Sequence, residues 1–198
     1  MIRRLRLDRS GASAAEFTLV LPLLLLLLFG IIDAGRFLWE VNKAEKATQV
    51  GARVAVVTDV LAPGLTSAGY VGVGGLTQGD LIPASALGLV TCTNASCTCT
   101  TSPCPALGTM LPANFTRIYD RMRAMKRDIT PATVRVTYRG SGLGYAGDPN
   151  GMDVSPLVTV QLTGVQFRPA IGLMLRSVTL PDFRTTLTAE DSVGSQSN

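Results

Sequence analysis

Residues 11–35, GASAAEFTLVLPLLLLLLFGIIDAG, decide the architecture of this chain. From Phe17 to Ile32 there is no charged side chain, and Leu23 to Leu28 is an unbroken leucine run. As a helix those 16 residues rise about 24 Å, short of a hydrocarbon layer of about 30 Å. Adding Ala12 to Ala15 and Ala34 to Gly35 gives a span over residues 12–35 of about 36 Å, with Glu16 and Asp33 near its two edges. One tilted transmembrane helix is therefore expected. Pro22 lies inside it, where it removes a backbone donor; a tolerated membrane proline and a functional hinge both fit. Gly30 and Ala34 have the spacing that lets helices pack closely, a common and weak motif.

Charge places the ends of that span. The 198 residues carry a net +4, but the first eleven hold Arg3, Arg4, Arg6 and Arg9 against Asp8, which leaves +1 for everything after them. Residues 1–11 thus form a basic leader, and arginines at the start of the span predict a cytoplasmic N-terminus and an exported C-terminus. The other basic residues are scattered without an interleaved aromatic patch, so no nucleic-acid partner is expected. The chain has no histidine. That excludes a Ser-His or Cys-His catalytic pair and removes the commonest metal ligand, so neither catalytic nor metal residues are assigned and no cofactor is expected.

A basic stretch before an apolar run is a removable secretory signal, a plain anchor, or a prepilin leader cut ahead of the run. A secretory peptidase needs small residues at A-x-A spacing after the apolar run. Ile32-Asp33-Ala34-Gly35-Arg36 puts a bulky Ile32 where a small residue belongs. Ahead of the run, cutting after Gly11 leaves Ala12 as the first residue, Glu16 as the fifth and Phe17 as the sixth. This resembles the recognition pattern of Flp-type prepilins: a glycine, four residues, a glutamate and an aromatic. The pattern usually ends in tyrosine, so Phe17 is a departure. Glu16 either marks the membrane boundary or has a specific role, because an acid beside hydrocarbon is costly. The resemblance implies the role: pairing with the new α-amino group of a neighbouring subunit.

Past the span the pattern becomes amphipathic. Phe37, Val41, Ala44, Thr48, Gly51 and Ala55 recur every three or four residues, and no proline interrupts Leu23 to Ala62. One helix is expected from about Ala14 to about Val60, with residues 36–60 as its amphipathic half. Asp33 and Arg36, three apart, can pair at the membrane edge. Taken in order, Gly11 to Phe17, the Leu-Val-Leu-Pro step, Phe-Gly-Ile-Ile-Asp-Ala-Gly-Arg and Gly51-Ala52-Arg53 are similar to TadE-like proteins of tight-adherence pilus systems, over about a quarter of the chain. The resemblance implies a minor pilin-like (pseudopilin) subunit of a type IVc (Flp) pilus or related secretion apparatus. It implies single-pass placement in a bacterial inner membrane, with the C-terminal domain periplasmic or surface-exposed. Its implied partners are the lipid bilayer, a prepilin peptidase, other pilin-like subunits and the tight-adherence machinery. The alternative is an uncleaved, single-pass membrane-anchored accessory or adhesive protein of the envelope. An exported hydrolase using Asp148 and Asp153, or a cation held by them, has only two turn carboxylates behind it.

Residues 61–198 are expected to form the exported domain. Ala62-Pro63-Gly64 ends the helix and opens a stretch rich in Gly, Ala and Thr that predicts loops with one short strand at most. Cys92, Cys97, Cys99 and Cys104, within residues 92–104, lack zinc-ribbon spacing, and export to an oxidising compartment favours disulfides. Adjacent, nested and crossed pairings all stay open. Asn114 is expected to cap a helix over residues 115–128 with Ile118, Met122, Met125 and Ile129 as its apolar stripe and Arg117, Arg121, Arg123 and Arg127 around it. Val134, Val136 and Tyr138, then Val158, Val160 and Leu162, alternate with polar residues and predict an antiparallel pair. Phe167 to Leu175 reads as a turn or short helix, Val178 to Thr188 as a third strand, and the tail from Ser192 as frayed. The fold class expected is α+β: a long N-terminal hydrophobic, pilin-like helix continuing into a small domain of antiparallel sheet and short helix.

Overall fold

A computed structural model describes residues 12–149, 151–170 and 177–189. The basic leader with Gly11, the distal part of the 167–175 segment and the tail from residue 190 lie outside the described residues. Helix α1 runs unbroken over Ala12–Val57, 46 residues including Pro22, which at 1.5 Å per residue is about 69 Å. At its far end the Thr58 hydroxyl donates to the Val54 carbonyl at 2.8 Å, satisfying one of the last acceptors. Pro63–Leu65 then turns the chain as a single 3₁₀ turn. The described residues divide into two compact units: 12–40 with 166–170 and 177–178, and 41–149 with 151–165 and 179–189.

The larger unit is built on one antiparallel sheet. Its strands are β1 (Leu89–Cys92), β2 (Cys97–Thr101), β3 (Val134–Arg139), β4 (Leu157–Leu162) and β7 (Phe183–Thr188), in the order β2-β1-β3-β4-β7. Two short strands, β5 (Gln166–Phe167) and β6 (Val178–Thr179), pair separately. The period-two pattern sets the register: Val136 faces Val160, and Tyr138 faces Val158. Those four side chains, with Val90, Val134 and Leu162, are buried on one face. Fully burying a residue of this size contributes about 1.5–3 kcal/mol, so this face fixes which side of every strand points inward.

Helix α2 spans Pro112–Met125. It begins earlier than the Asn114 cap predicts, because Pro112 sits at the first helical position, where its missing N–H costs nothing. Asn114 is instead inside the first turn and buried, its amide donating to the Val60 carbonyl at 3.2 Å. Phe115, Ile118 and Met122 form the buried stripe, whereas Met125 is exposed and Ile129 is buried beyond the helix end. The four arginines around it are exposed. Just past the helix, Lys126 is buried with its ammonium 3.0 Å from the Asp128 carboxylate.

The second half of α1 is lined by small residues where it meets this unit. Ala44, Ala47, Thr48, Gly51, Ala52 and Ala55 are all buried. A side chain on Gly51 would place its Cβ 2.7 Å from Met122 Cγ and 3.1 Å from Val160 Cγ1, so glycine is what lets α1 approach α2 and β4 together. The Thr48 hydroxyl lies 3.0 Å from that of Thr185 on β7. Tyr138 on β3 reaches across to accept the Leu61 N–H at 3.1 Å, just past the end of α1. Helix, α2 and three strands are thus locked by close approach and two polar contacts.

The loops are pinned by covalent and polar ties. Cys92 pairs with Cys97 directly across the β1–β2 hairpin, and Cys99 pairs with Cys104 beyond it. Between residues 63 and 86 the chain makes three 3₁₀ turns and one isolated bridge, Leu81 with Tyr145. Asp153 is buried and accepts three backbone N–H groups, from Tyr70 at 2.8 Å, Gly147 at 2.9 Å and Asp148 at 3.1 Å. Burial, and secondarily the Asp153 carboxylate, hold the Tyr70 hydroxyl above the ordinary tyrosine range.

Two substitutions test this packing. Gly51→Ala gains about 1 kcal/mol of helix propensity but incurs an overpacking cost of about 1–3 kcal/mol; urea unfolding in detergent should show a net loss, and a Met122→Ala background should turn the same substitution stabilising. Tyr138→Phe leaves the buried Leu61 N–H unpaired and should cost about 1–3 kcal/mol at neutral pH. Burial raises the Tyr138 hydroxyl well above its ordinary value, so the stability it contributes is complete below about pH 10 and is lost as pH climbs above that. The phenylalanine variant should therefore show a smaller alkaline loss in a pH series, with Tyr70 still supplying part of it.

Candidate functional site

The candidate site is the first half of α1 and what attaches to it. Glu16 and Phe17 are both exposed within the first turns of the helix, Phe17 at 62%. Ala12 is the first residue of the helix, so the pattern from Ala12 to Phe17 is helical throughout. Large apolar side chains remain exposed from Phe17 to Ile32, including all six of Leu23 to Leu28. An 18-residue window here has mean hydropathy 2.5 and none of it is buried, which makes α1 the one helix, among the described residues, long and apolar enough to cross a membrane. The Thr18 hydroxyl donates to the Ala14 carbonyl at 2.7 Å, keeping that polar group satisfied inside the apolar surface.

At the far end of the apolar run a second segment joins the helix. Asp33 Oδ1 accepts Arg36 Nη1 at 3.0 Å and the backbone N–H of Ala170 at 2.8 Å, and the Asp33 side chain keeps only 12% of its exposure. Arg36 Nη2 donates to the Arg168 carbonyl at 3.5 Å. Its guanidinium carbon also stands 5.7 Å from the centre of the Phe167 ring, within cation–π range. Phe37 meets Phe167 edge to face at 5.5 Å between centroids. The helical spacing announced the Asp33–Arg36 pair. Its extension to residues 167–170 left no local signal, because a backbone N–H and a lone Phe-Arg-Pro step carry no periodicity.

The remaining predicted site residues are structural. Cys92, Cys97, Cys99 and Cys104 are consumed in two adjacent disulfides. Asp153, one of the two turn carboxylates, is buried and spends its carboxylate on loop N–H groups. Among the described residues no three His, Cys, Asp or Glu side chains are arranged to hold a metal ion.

Comparisons with curated proteins and with solved structures return no match. A family model does match: residues 11–53, the stretch holding Gly11, Glu16, Phe17, the apolar run, Asp33, Arg36 and Gly51, are similar to the family described as TadE-like protein.

Proposed function

We propose that the chain is a minor pilin-like subunit, anchored in the bacterial inner membrane by α1 and cut after Gly11 by a prepilin peptidase. The TadE-like match over residues 11–53 supports a place in tight-adherence (Flp) pilus systems. The observation that carries the proposal is the exposed apolar half of α1 beginning directly behind the Gly11–Phe17 pattern. Water does not tolerate such a surface, at about 1.5–3 kcal/mol per large side chain. Lipid does, and so do the equivalent helices of neighbouring subunits. Exchange of one for the other lets a subunit leave the bilayer for an assembly, and repeated head-to-tail contacts generate a helix of subunits.

Cleavage after Gly11 frees the Ala12 amine, and Glu16 is its counterpart on the adjacent subunit. Partly desolvated, that pair contributes through what its loss would cost, on the order of 3–5 kcal/mol when one partner is removed. Misregistered subunits would leave the charge unpaired and be rejected. The basic leader keeps the N-terminus cytoplasmic and sends residues 61–198 outward.

Intact mass and terminal sequencing of membrane-associated protein, from cells with and without the cognate prepilin peptidase, test this. An Ala12 start that depends on the peptidase is expected, with Glu16→Ala abolishing incorporation into pili while membrane anchoring persists. A retained Met1 in peptidase-competent cells would instead favour an uncleaved accessory protein.

A further inference from the structure

The two acids on α1 sit at unequal depths. From Glu16 to Asp33 the helix rises about 25 Å, and from Glu16 to Trp39 about 34 Å, against a hydrocarbon layer of about 30 Å. With Glu16 at one boundary, Asp33 falls just inside the opposite one and Trp39 just outside it. A carboxylate at that depth is costly unless paired. Asp33 is paired by Arg36 and by the N–H of Ala170, which lets α1 keep an acid where the hydrocarbon thins into headgroups.

At 3.6 residues per turn, Asp33, Arg36, Phe37 and Glu40 share one side of the helix, the side that holds residues 167–170. Ile31, Gly35 and Leu38 fall on the opposite side, with Trp39 on its flank. There the exposed apolar surface does not end with the apolar run: Leu38 is 61% exposed and Trp39 64%. Indole and leucine exposed one to two turns beyond Ile32 are continuous with the surface that faces lipid. Side chains on a helix lean toward its N-terminus, so the Trp39 indole hangs back over the preceding turn, toward the membrane. An amphipathic ring at the end of a span is the chemistry of the headgroup layer.

We infer that the Leu38–Trp39 face of α1 is a lipid-binding surface, seated in the phospholipid headgroup layer where the helix leaves the membrane, with the Asp33–Ala170 clasp holding the opposite side of the helix at the same level. The inference rests on α1 spanning a membrane. It fixes how deep the span sits and commits the face to lipid, not to a neighbouring subunit, while the protein is in the bilayer.

Trp39 is the only tryptophan in the chain, so its fluorescence reports this position alone. The full chain, reconstituted in vesicles of phosphatidylcholine and phosphatidylglycerol, should resist alkaline carbonate extraction. Its emission should be blue-shifted, quenched several-fold more by a nitroxide on the headgroup than by one deep in the acyl chain, and protected several-fold from aqueous iodide relative to free indole. Carbonate-resistant protein whose Trp39 is open to iodide, or untouched by either lipid label, overturns the seat while leaving the span intact; the second result assigns the face to a neighbouring protein surface. Release by carbonate overturns the span and the seat together.

Discussion

Everything in this molecule depends on one helix having to satisfy two solvents. The backbone of α1 is continuous over 46 residues, yet its first half exposes leucine and phenylalanine while its second half buries alanine, threonine and glycine. Helical hydrogen bonds are satisfied within the segment, so the same backbone serves in hydrocarbon and in a protein core. What changes along it is side-chain size. Large residues suit a fluid apolar surround that conforms to them, whereas small ones are needed where a rigid sheet and a second helix must approach closely. Gly51 marks the extreme of that second requirement, since even a methyl group there meets Met122 and Val160.

Strong periodicity made most of this legible. The charge-free run, the three-and-four spacing from Ala44 to Ala55 and the alternation in β3 and β4 each express a single physical demand repeated many times, so residue identity alone reveals them. The TadE-like resemblance was legible for a related reason, because its pieces stand in a fixed order over residues 11–53. Cysteine pairing was not. Spacing allowed three connectivities, and the adjacent one goes with the hairpin register that sets Cys92 opposite Cys97.

Single polar residues were the hardest to place. Asn114 had the chemistry of a helix cap, but Pro112 started the helix first and left the amide free to bind Val60 across the core. Asp153 lies in a Gly, Asp and Pro segment that reads as a solvated turn, yet three N–H donors from two loops converge on it. In both cases the partner is a main-chain group distant in sequence. Every residue has such groups, so nothing in the side-chain pattern announces which will be used.

The clasp at Asp33 follows the same logic and bears on how α1 carries a charge beside its apolar run. Asp33 and Arg36 pair locally, but a lone exposed pair of this kind contributes only about 0.2–0.5 kcal/mol. Adding the Ala170 N–H, the Arg168 carbonyl and the Phe37–Phe167 contact converts that weak pair into a joint between segments 130 to 137 residues apart in sequence. As part of a network with an aromatic lid, the Asp33 charge is largely shielded from solvent without being left unpaired. A helix that must present an apolar surface to lipid along its length can carry charge only where the charge is covered, and residues 167–170 supply that cover from elsewhere in the chain. The cost of an acid at the end of the apolar run is thereby offset by structure that also fixes the helix to a second segment there.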